Sequence, residues 1–235
     1  MLHHYEEPII SGKLTDKGSG AIFFTGCNLK CVFCQNHSIA LGDCGKTIST
    51  HRLAEIFLEL QKKGAANINL VTPTHYIPQI REALIAAKEN GLHLPIVYNT
   101  GSYETVESLR LLEGLVDIYL PDLKYSDTEL AKDLSLAGNY FETAKAAILE
   151  MYRQTGPVVM EDEIMQRGVL LRHLVLPGYV DNSLGVIDWV SEQFPGDRIL
   201  FSLMRQYTPM GNLAEPLNRK VTDEEYDACV SYIHE

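Results

Sequence analysis

Six short apolar runs alternate with segments of helical periodicity along this chain of 235 residues. Each run has the length of a β-strand, and the segment after it carries apolar side chains three or four positions apart, which is typical of a one-sided helix. Strands that alternate with helices form βαβ units and a parallel sheet. We therefore predict strands at residues 21–25, 67–72, 94–98, 116–120, 169–176 and 199–203.

Two architectures satisfy this alternation, an α/β open doubly wound sheet and a curved, incomplete (β/α)6 barrel, and periodicity does not separate them. The length suits one domain over residues 1–235, with an N-terminal extension over residues 1–19 and the body over residues 20–235. Residues 156–166 are acidic and irregular, and we predict that they form an excursion from that body.

Local signals place several helices and polar side chains. Two capping boxes, Ser126 with Glu129 and Thr222 with Glu225, predict helix starts, and a further helix is predicted over about residues 102–113.

Arg172 and His173 interrupt the fifth apolar run. Adjacent strand residues face opposite ways, so at most one of the two points into a barrel, and a buried, hydrogen-bonded histidine is the default interpretation of His173.

Three cysteines, Cys27, Cys31 and Cys34, follow the first predicted strand with the spacing C-x3-C-x2-C. Thiolates favour iron–sulfur clusters and zinc. A [4Fe–4S] cluster normally takes four cysteines, so three leave one iron open to a small molecule. The loop lies at the carboxyl end of a strand, where ligand sites of parallel α/β folds are found. His75 and Tyr76, after the second strand, border the same edge.

Other interpretations of the cysteines stay open. A zinc site could take the three thiolates with His37 or Cys44 as the fourth ligand, which would make the chain a non-catalytic zinc- or cluster-binding interaction protein. A disulfide is disfavoured because the chain has five cysteines, an odd number. Cys229 lies on an apolar helical stripe and is predicted to be a core residue.

Charge and hydropathy exclude other classes of function. The net charge is −11, from 31 acidic and 20 basic residues, and an acidic surface repels phosphate backbones, which disfavours nucleic-acid binding. No stretch reaches the roughly 18 apolar residues of a membrane span, and the N-terminus lacks the pattern of a signal peptide. With the odd cysteine count, this predicts a location in the reducing cytoplasm and no membrane partner.

The cysteine run resembles the signature of the radical S-adenosylmethionine (SAM) superfamily, C-x3-C-x-aromatic-C, with Phe33 as the aromatic residue. A narrower resemblance, to PflX-type relatives of pyruvate formate-lyase activating enzyme, is carried by residues 24–36, 69–76, 95–100, 117–124 and 172–178. The resemblance implies an α/β fold, a partial (β/α)6 TIM-like barrel of the radical SAM type, with a cluster at its mouth.

The resemblance also implies the chemistry. A [4Fe–4S] cluster on Cys27, Cys31 and Cys34 would bind SAM at its open iron, cleave it reductively and yield a 5′-deoxyadenosyl radical that abstracts a hydrogen atom. The chain would be an activating-enzyme-like oxidoreductase that installs a glycyl radical on a partner enzyme, with flavodoxin or ferredoxin as electron donor. A radical SAM enzyme acting on a small metabolite or peptide is the alternative. Cleavage itself requires no protein acid or base, so no catalytic side chain is nominated.

Residues that contact SAM are implied in the same way. Phe33 would hold the adenine through its backbone. Thr72 and Thr74 occupy the place where many relatives bind the methionyl amine with Gly-Gly-Glu. Strand-end residues would surround the carboxylate and ribose. The full implied set is Phe33, Asn36, Thr72, Thr74, Asn99, Thr100, Asp122 and Lys124.

Overall fold

A computed structural model describes residues 1–4, 8–12, 18–196 and 198–234. Its strands are β1 (Leu2–His3), β2 (Ser19–Phe23), β3 (Ile68–Val71), β4 (Ile96–Thr100), β5 (Ile118–Pro121), β6 (Val159–Glu161), β7 (Ile164–Leu174) and β8 (Leu200–Met204). The six predicted runs correspond to β2, β3, β4, β5, β7 and β8, which pair in parallel in that order. A doubly wound sheet reverses its strand order at a switch point. No reversal occurs here, so the sheet curls as a partial (β/α)6 barrel.

Helices connect the parallel strands and cover the outer face of the sheet. Their bounds are α1 (Pro8–Ser11), α2 (His37–Leu41), α3 (Thr50–Lys62), α4 (Ile77–Glu89), α5 (Val106–Arg110), α6 (Thr128–Ser135), α7 (Tyr140–Thr155), α8 (Val180–Gln193) and α9 (Asp223–Ile233). Within the described ranges, no helix combines the length and apolar character that a membrane span requires.

The first residues contribute to the barrel. β1 pairs antiparallel with β2, and Ile10 of α1 is fully buried against the apolar interior. Residues 5–7 and 13–17 of the predicted N-terminal extension lie outside the described residues.

Two apolar layers result from the alternation of strand side chains. Tyr98 of β4 points outward into the layer between sheet and helices, whereas Val97 points inward. Inward apolar residues fill the amino-terminal half of the barrel: Ile10, Val97, Ile118, Leu120, Met165 and Leu170. Inward positions nearer the carboxyl ends include the polar residues Asn99 and Arg172, which line a cavity. The barrel is therefore plugged at one end and open for a ligand at the other.

Residues 156–166 are not irregular as predicted, because most of them belong to a β-hairpin at the end of the sheet. β6 pairs antiparallel with the start of β7, and the two residues between them, Asp162 and Glu163, have φ angles of +49° and +68°. Two positive φ values are the requirement of a type I′ turn, which usually carries Asn-Gly or Asp-Gly. This turn carries Asp162 and Glu163 instead, so the sequence gives no signal for a hairpin at this position.

Two local helix predictions also change. The helix predicted over about residues 102–113 shortens to α5, which begins after Thr105, whose hydroxyl accepts a hydrogen bond from the Ser108 amide. The capping box at Ser126 is wrong, because the Ser126 hydroxyl donates to the Asn182 carbonyl and Asp127 caps α6 instead. The capping box that opens α9 is confirmed.

The prediction that Arg172 and His173 face opposite ways is confirmed. His173 is fully buried on the helix side. Its Nδ1 lies 2.6 Å from the Leu123 carbonyl and its Nε2 2.8 Å from the Ser183 hydroxyl. A carbonyl only accepts, so Nδ1 carries the proton and Nε2 accepts from Ser183. Burial lowers the pKa of His173 to about 4, and the folded protein therefore holds this ring neutral.

This burial predicts a loss of stability in mild acid. The unfolded chain protonates His173 near pH 6.5, whereas the folded chain does so only near pH 4, so the free energy of unfolding falls as the pH drops between these values. Urea unfolding of wild type and His173→Gln at pH 7 and pH 5 measures the effect. Between pH 7 and pH 5, we expect the free energy of unfolding to fall by about 2 kcal/mol more for wild type than for His173→Gln. Equal losses in the two proteins would contradict a neutral, buried His173.

Candidate active site

A cavity of about 330 Å³ opens at the carboxyl ends of the parallel strands. Phe23, Val71, Thr100, Leu174 and Met204, from five of these strands, line it, and Asp122 lines it directly after β5. The three thiols of the cysteine loop form part of the same wall. The position agrees with the rule that parallel α/β folds bind ligands at this end of the sheet.

The cysteine loop leaves β2 and is held by main-chain contacts. Gly26 adopts a φ of +86°, which favours glycine, and its amide donates to the Ile39 carbonyl in α2. Farther along, the amides of Lys30 and Val32 donate to the carbonyls of Ser135 and Leu134 at the end of α6. Because hydrogen bonds hold the loop to α2 and to the end of α6, the three thiols keep fixed positions on the cavity wall.

The thiols suit a cluster better than a single metal ion. Among the described residues, no three His, Cys, Asp or Glu side chains are grouped to hold one ion, and Cys44, a possible zinc ligand, is exposed. In a cubane each cysteine binds a different iron, so its thiolates stand apart around one space. Burial raises the pKa of the Cys27 and Cys34 thiols, and metal ligation would deprotonate them. Three free thiols around one cavity fit this donor set.

A charged triad, Asp122, Lys124 and Arg172, lies on the wall of the same cavity. The Asp122 carboxylate receives Lys124 Nζ at 2.6 Å and Arg172 Nε at 2.9 Å, and Arg172 Nη2 also donates to Asn99 Oδ1 at 2.8 Å. Burial alone would raise the pKa of Asp122, but Arg172 and Lys124 outweigh it and hold the pKa below its ordinary value. All three groups are charged, so the triad carries one net positive charge.

A buried carboxyl group joins two strand ends beside the cavity. Glu104 is 4% exposed. It accepts hydrogen bonds from the Tyr98 hydroxyl at 2.8 Å, the Thr74 hydroxyl at 3.0 Å and the Thr100 hydroxyl. Burial raises the pKa of Glu104, while these hydroxyl groups act in the opposite direction. Glu104 thereby fixes the turn after β3 relative to the end of β4.

Removing Glu104 is expected to destabilise the protein strongly. Glu104→Ala would leave three hydroxyl groups without their acceptor, and each unsatisfied buried group costs about 1–3 kcal/mol. We expect a loss of at least about 3 kcal/mol in urea unfolding for Glu104→Ala, and a smaller loss for Glu104→Gln, which keeps one acceptor oxygen. Equal effects of the two substitutions would show that the hydrogen bonds do not carry the stability.

Most of the residues implied by the resemblance line this cavity. Those brought together on its wall are Phe33, Asn36, Thr72, Asn99, Thr100, Asp122 and Lys124. Thr74 is not in the lining, because its hydroxyl faces Glu104. Thr72 has a φ of +56°, an uncommon conformation for a β-branched residue that is found at functional sites. His75 is exposed, and the Tyr76 hydroxyl donates to the Thr25 carbonyl.

Sequence reasoning missed part of the site. Gln206 and Tyr207, after β8, complete one side of the cavity, and the rings of Tyr207 and Phe33 contact edge to face with centroids 6.0 Å apart. Glu104 was also missed, since the sequence analysis placed it in a predicted helix, whereas it lies in the loop before α5. Arg172, in contrast, could be found from the sequence as a charge within an apolar strand.

Comparison with known proteins places this site in a family. The family model of the radical SAM superfamily matches residues 21–190. An uncharacterized protein of Methanocaldococcus jannaschii is 34% identical over 224 residues, which cover 90% of this chain and 61% of that protein. The chain therefore spans about three fifths of the length of this relative. The pyruvate formate-lyase-activating enzyme of Staphylococcus aureus is 22% identical over 182 residues, covering 73% of this chain and 67% of the enzyme.

The fold has counterparts among solved structures. SuiB of Streptococcus suis, in a crystal structure bound to S-adenosylmethionine, superposes with a TM-score of 0.57 and 15% identity, covering 91% of this chain and 44% of SuiB. At this identity the likeness concerns the fold alone, and it agrees with the partial barrel. The family model matches well over half of the chain. The chain therefore belongs to the radical SAM superfamily, whose cofactors are a [4Fe–4S] cluster and SAM.

Proposed function

We propose that this protein is an activating-enzyme-type radical SAM enzyme that abstracts a hydrogen atom from a glycine of a partner protein. The observation that carries the proposal is the shared cavity, which brings three thiols and a charged triad together at the strand ends. The similarity to a pyruvate formate-lyase-activating enzyme, over 73% of this chain, supports the finer assignment.

In this proposal Cys27, Cys31 and Cys34 hold the cluster. When bound, the cluster supplies one electron to SAM, and cleavage yields methionine and a 5′-deoxyadenosyl radical. The protein contributes the arrangement around that chemistry. Its loop contacts with α2 and α6 keep the three thiols in place before any ligand arrives.

The charged triad would orient SAM. Its net positive charge attracts the methionyl carboxylate, and Arg172 offers a planar donor group suited to a carboxylate. Asp122 keeps Arg172 and Lys124 in position by its two contacts. Asn99 and Thr100, at the end of β4, would face the ribose, and Phe33 with Asn36 the adenine. Thr72 and Thr74 would lie beside the methionyl amine, with the hydroxyl of Thr74 engaged by Glu104.

Apolar side chains would protect the radical. The remaining lining includes Phe23, Phe24, Leu29, Val71 and Leu174. Such a wall excludes water from the space around the radical. The radical is then directed toward the opening of the cavity.

The size of the cavity favours a macromolecular hydrogen donor. Pockets for single small ligands measure about 300–1,000 Å³, and this cavity, at about 330 Å³, is at the lower end of that range. SAM would occupy most of it, which leaves little room for a separate metabolite. A peptide segment of a partner presented at the opening fits this arrangement better. Flavodoxin or ferredoxin, in a reducing cytoplasm, would supply the electron.

The first test is turnover without a partner. Anaerobically reconstituted and reduced protein, incubated with SAM, should release 5′-deoxyadenosine and methionine, measured by chromatography. Metal analysis is the control: about four irons and four sulfides per chain define the loaded protein. A loaded protein that releases neither product would contradict an enzymatic role, and one zinc without sulfide would favour the binding-protein alternative.

The second test identifies the hydrogen donor. A candidate glycyl radical enzyme labelled with deuterium at glycine Cα should transfer deuterium into 5′-deoxyadenosine and show a glycyl radical signal in electron paramagnetic resonance. Transfer instead from a labelled small metabolite or free peptide would favour the alternative substrate class and reject the protein partner.

A further inference from the structure

One cluster cysteine has a side-chain hydrogen-bond donor. Ser135, the last residue of α6, is fully buried, and its hydroxyl oxygen lies 3.0 Å from Cys31 Sγ. Cys27 and Cys34 instead receive the backbone N–H groups of Leu29 and Asn36. The donor to Cys31 can therefore be removed by mutation, whereas the backbone donors cannot.

A second hydroxyl group fixes the direction of this hydrogen bond. The phenol oxygen of Tyr125 lies 2.6 Å from the Ser135 hydroxyl oxygen, and Tyr125 is also fully buried. A metal-bound thiolate has no proton, so Ser135 must donate its single proton to Cys31 and accept from Tyr125. Consecutive hydrogen bonds of this kind polarise and strengthen each other in a dry environment.

The backbone holds this arrangement independently of the hydroxyl groups. The Lys30 amide donates to the Ser135 carbonyl at 3.1 Å, and the Val32 amide donates to the Leu134 carbonyl at 2.9 Å. These two contacts fasten the cysteine loop to the end of α6. Removing either hydroxyl group therefore leaves the position of Cys31 supported.

We propose that the Tyr125–Ser135–Cys31 relay raises the reduction potential of the cluster. Reduction adds one electron from an external reductant to the cluster and transfers no proton. The reduced cluster is the more negative state, so a hydrogen bond donated to its sulfur ligand stabilises that state more than the oxidised one. The inference rests on the proposal that the three cysteines hold a cluster. It does not depend on which molecule gives up a hydrogen atom to the 5′-deoxyadenosyl radical.

The test is a potentiometric titration of the reconstituted protein without SAM, with the reduced cluster followed by electron paramagnetic resonance. We expect a more negative midpoint for Ser135→Ala. At a fixed potential near the wild-type midpoint, its ratio of reduced to oxidised cluster should fall about tenfold, which is about 59 mV for one electron. Tyr125→Phe should shift the midpoint in the same direction by less, because it leaves the Ser135 donor in place.

Controls separate tuning from folding. Ser38→Ala removes an exposed hydroxyl group on the neighbouring helix α2 and should leave the midpoint unchanged. Ser135→Thr keeps a hydroxyl donor at position 135 and should have a midpoint close to that of wild type. An unshifted or more positive midpoint for Ser135→Ala with full iron and sulfide content would overturn the proposal. If Ser135→Ala fails to hold the cluster, Tyr125→Phe decides in the same way. Because no substrate is present, these outcomes are distinct from failure of the proposed function.

Discussion

Cys31→Ala is expected to abolish the brown cluster chromophore and SAM cleavage together. Only three thiols line the described cavity wall, so losing one leaves two protein ligands for a cluster that normally takes four. Iron and sulfide content, the visible absorbance and 5′-deoxyadenosine release after anaerobic reconstitution measure the effect. We expect 5′-deoxyadenosine release to fall to the background of the assay.

Cys44→Ala is the matched control for this experiment. Cys44 is an exposed free cysteine ten residues beyond Cys34 in the sequence and does not line the cavity. Its replacement should leave iron content and product release unchanged. A Cys31→Ala protein that kept four irons and its colour would require a different set of cluster ligands. Loss of the cluster in Cys44→Ala would indicate that Cys44 is a ligand.

Asp122→Ala is expected to reduce both the stability of the protein and its affinity for SAM. Removing this carboxylate leaves Arg172 and Lys124, whose side chains are 14% and 20% exposed, without their shared partner. Breaking a buried ion pair on one side costs about 3–5 kcal/mol. The positions of the two cations would also be lost, so SAM binding should weaken. Urea unfolding and equilibrium dialysis with SAM measure the two effects.

Two variants sharpen this comparison. Asp122→Asn keeps the shape of the side chain and one of its two acceptor oxygens, so its loss of stability should be smaller than that of Asp122→Ala. Glu129→Gln breaks the exposed pair with Lys132, whose atoms lie 3.6 Å apart, and such pairs contribute about 0–1 kcal/mol. If Asp122→Ala changed stability no more than Glu129→Gln, the triad would be an ordinary surface cluster and its proposed role would fail.

The sequence predicted those parts of the fold that have a local cause. Strand and helix periods of 2 and 3.6 residues are read within one element, so the six parallel strands were found with ends displaced by a few residues. The opposite directions of Arg172 and His173 follow from the same rule and were confirmed. The hairpin at residues 159–174 was missed because its turn lacks the residues that usually mark one.

In the candidate site, too, the sequence predicted the local features and missed the contacts between distant residues. The spacing of Cys27, Cys31 and Cys34 within one loop is a local property, and it is visible in the sequence. Glu104 contacts Thr74, 30 positions earlier, and Ser135 contacts Cys31, 104 positions earlier. No periodicity links residues so far apart, so neither contact could be predicted from one sequence.

The amino-acid sequence by itself determined the alternation of strands and helices, the cysteine loop and its place after the first strand, because each depends on neighbours along the chain. Only the tertiary structure decided between an open sheet and a partial barrel, since strand order depends on how distant segments pair. It also decided which polar side chains meet at the cavity, because the curvature of the sheet brings the ends of its strands together around one space.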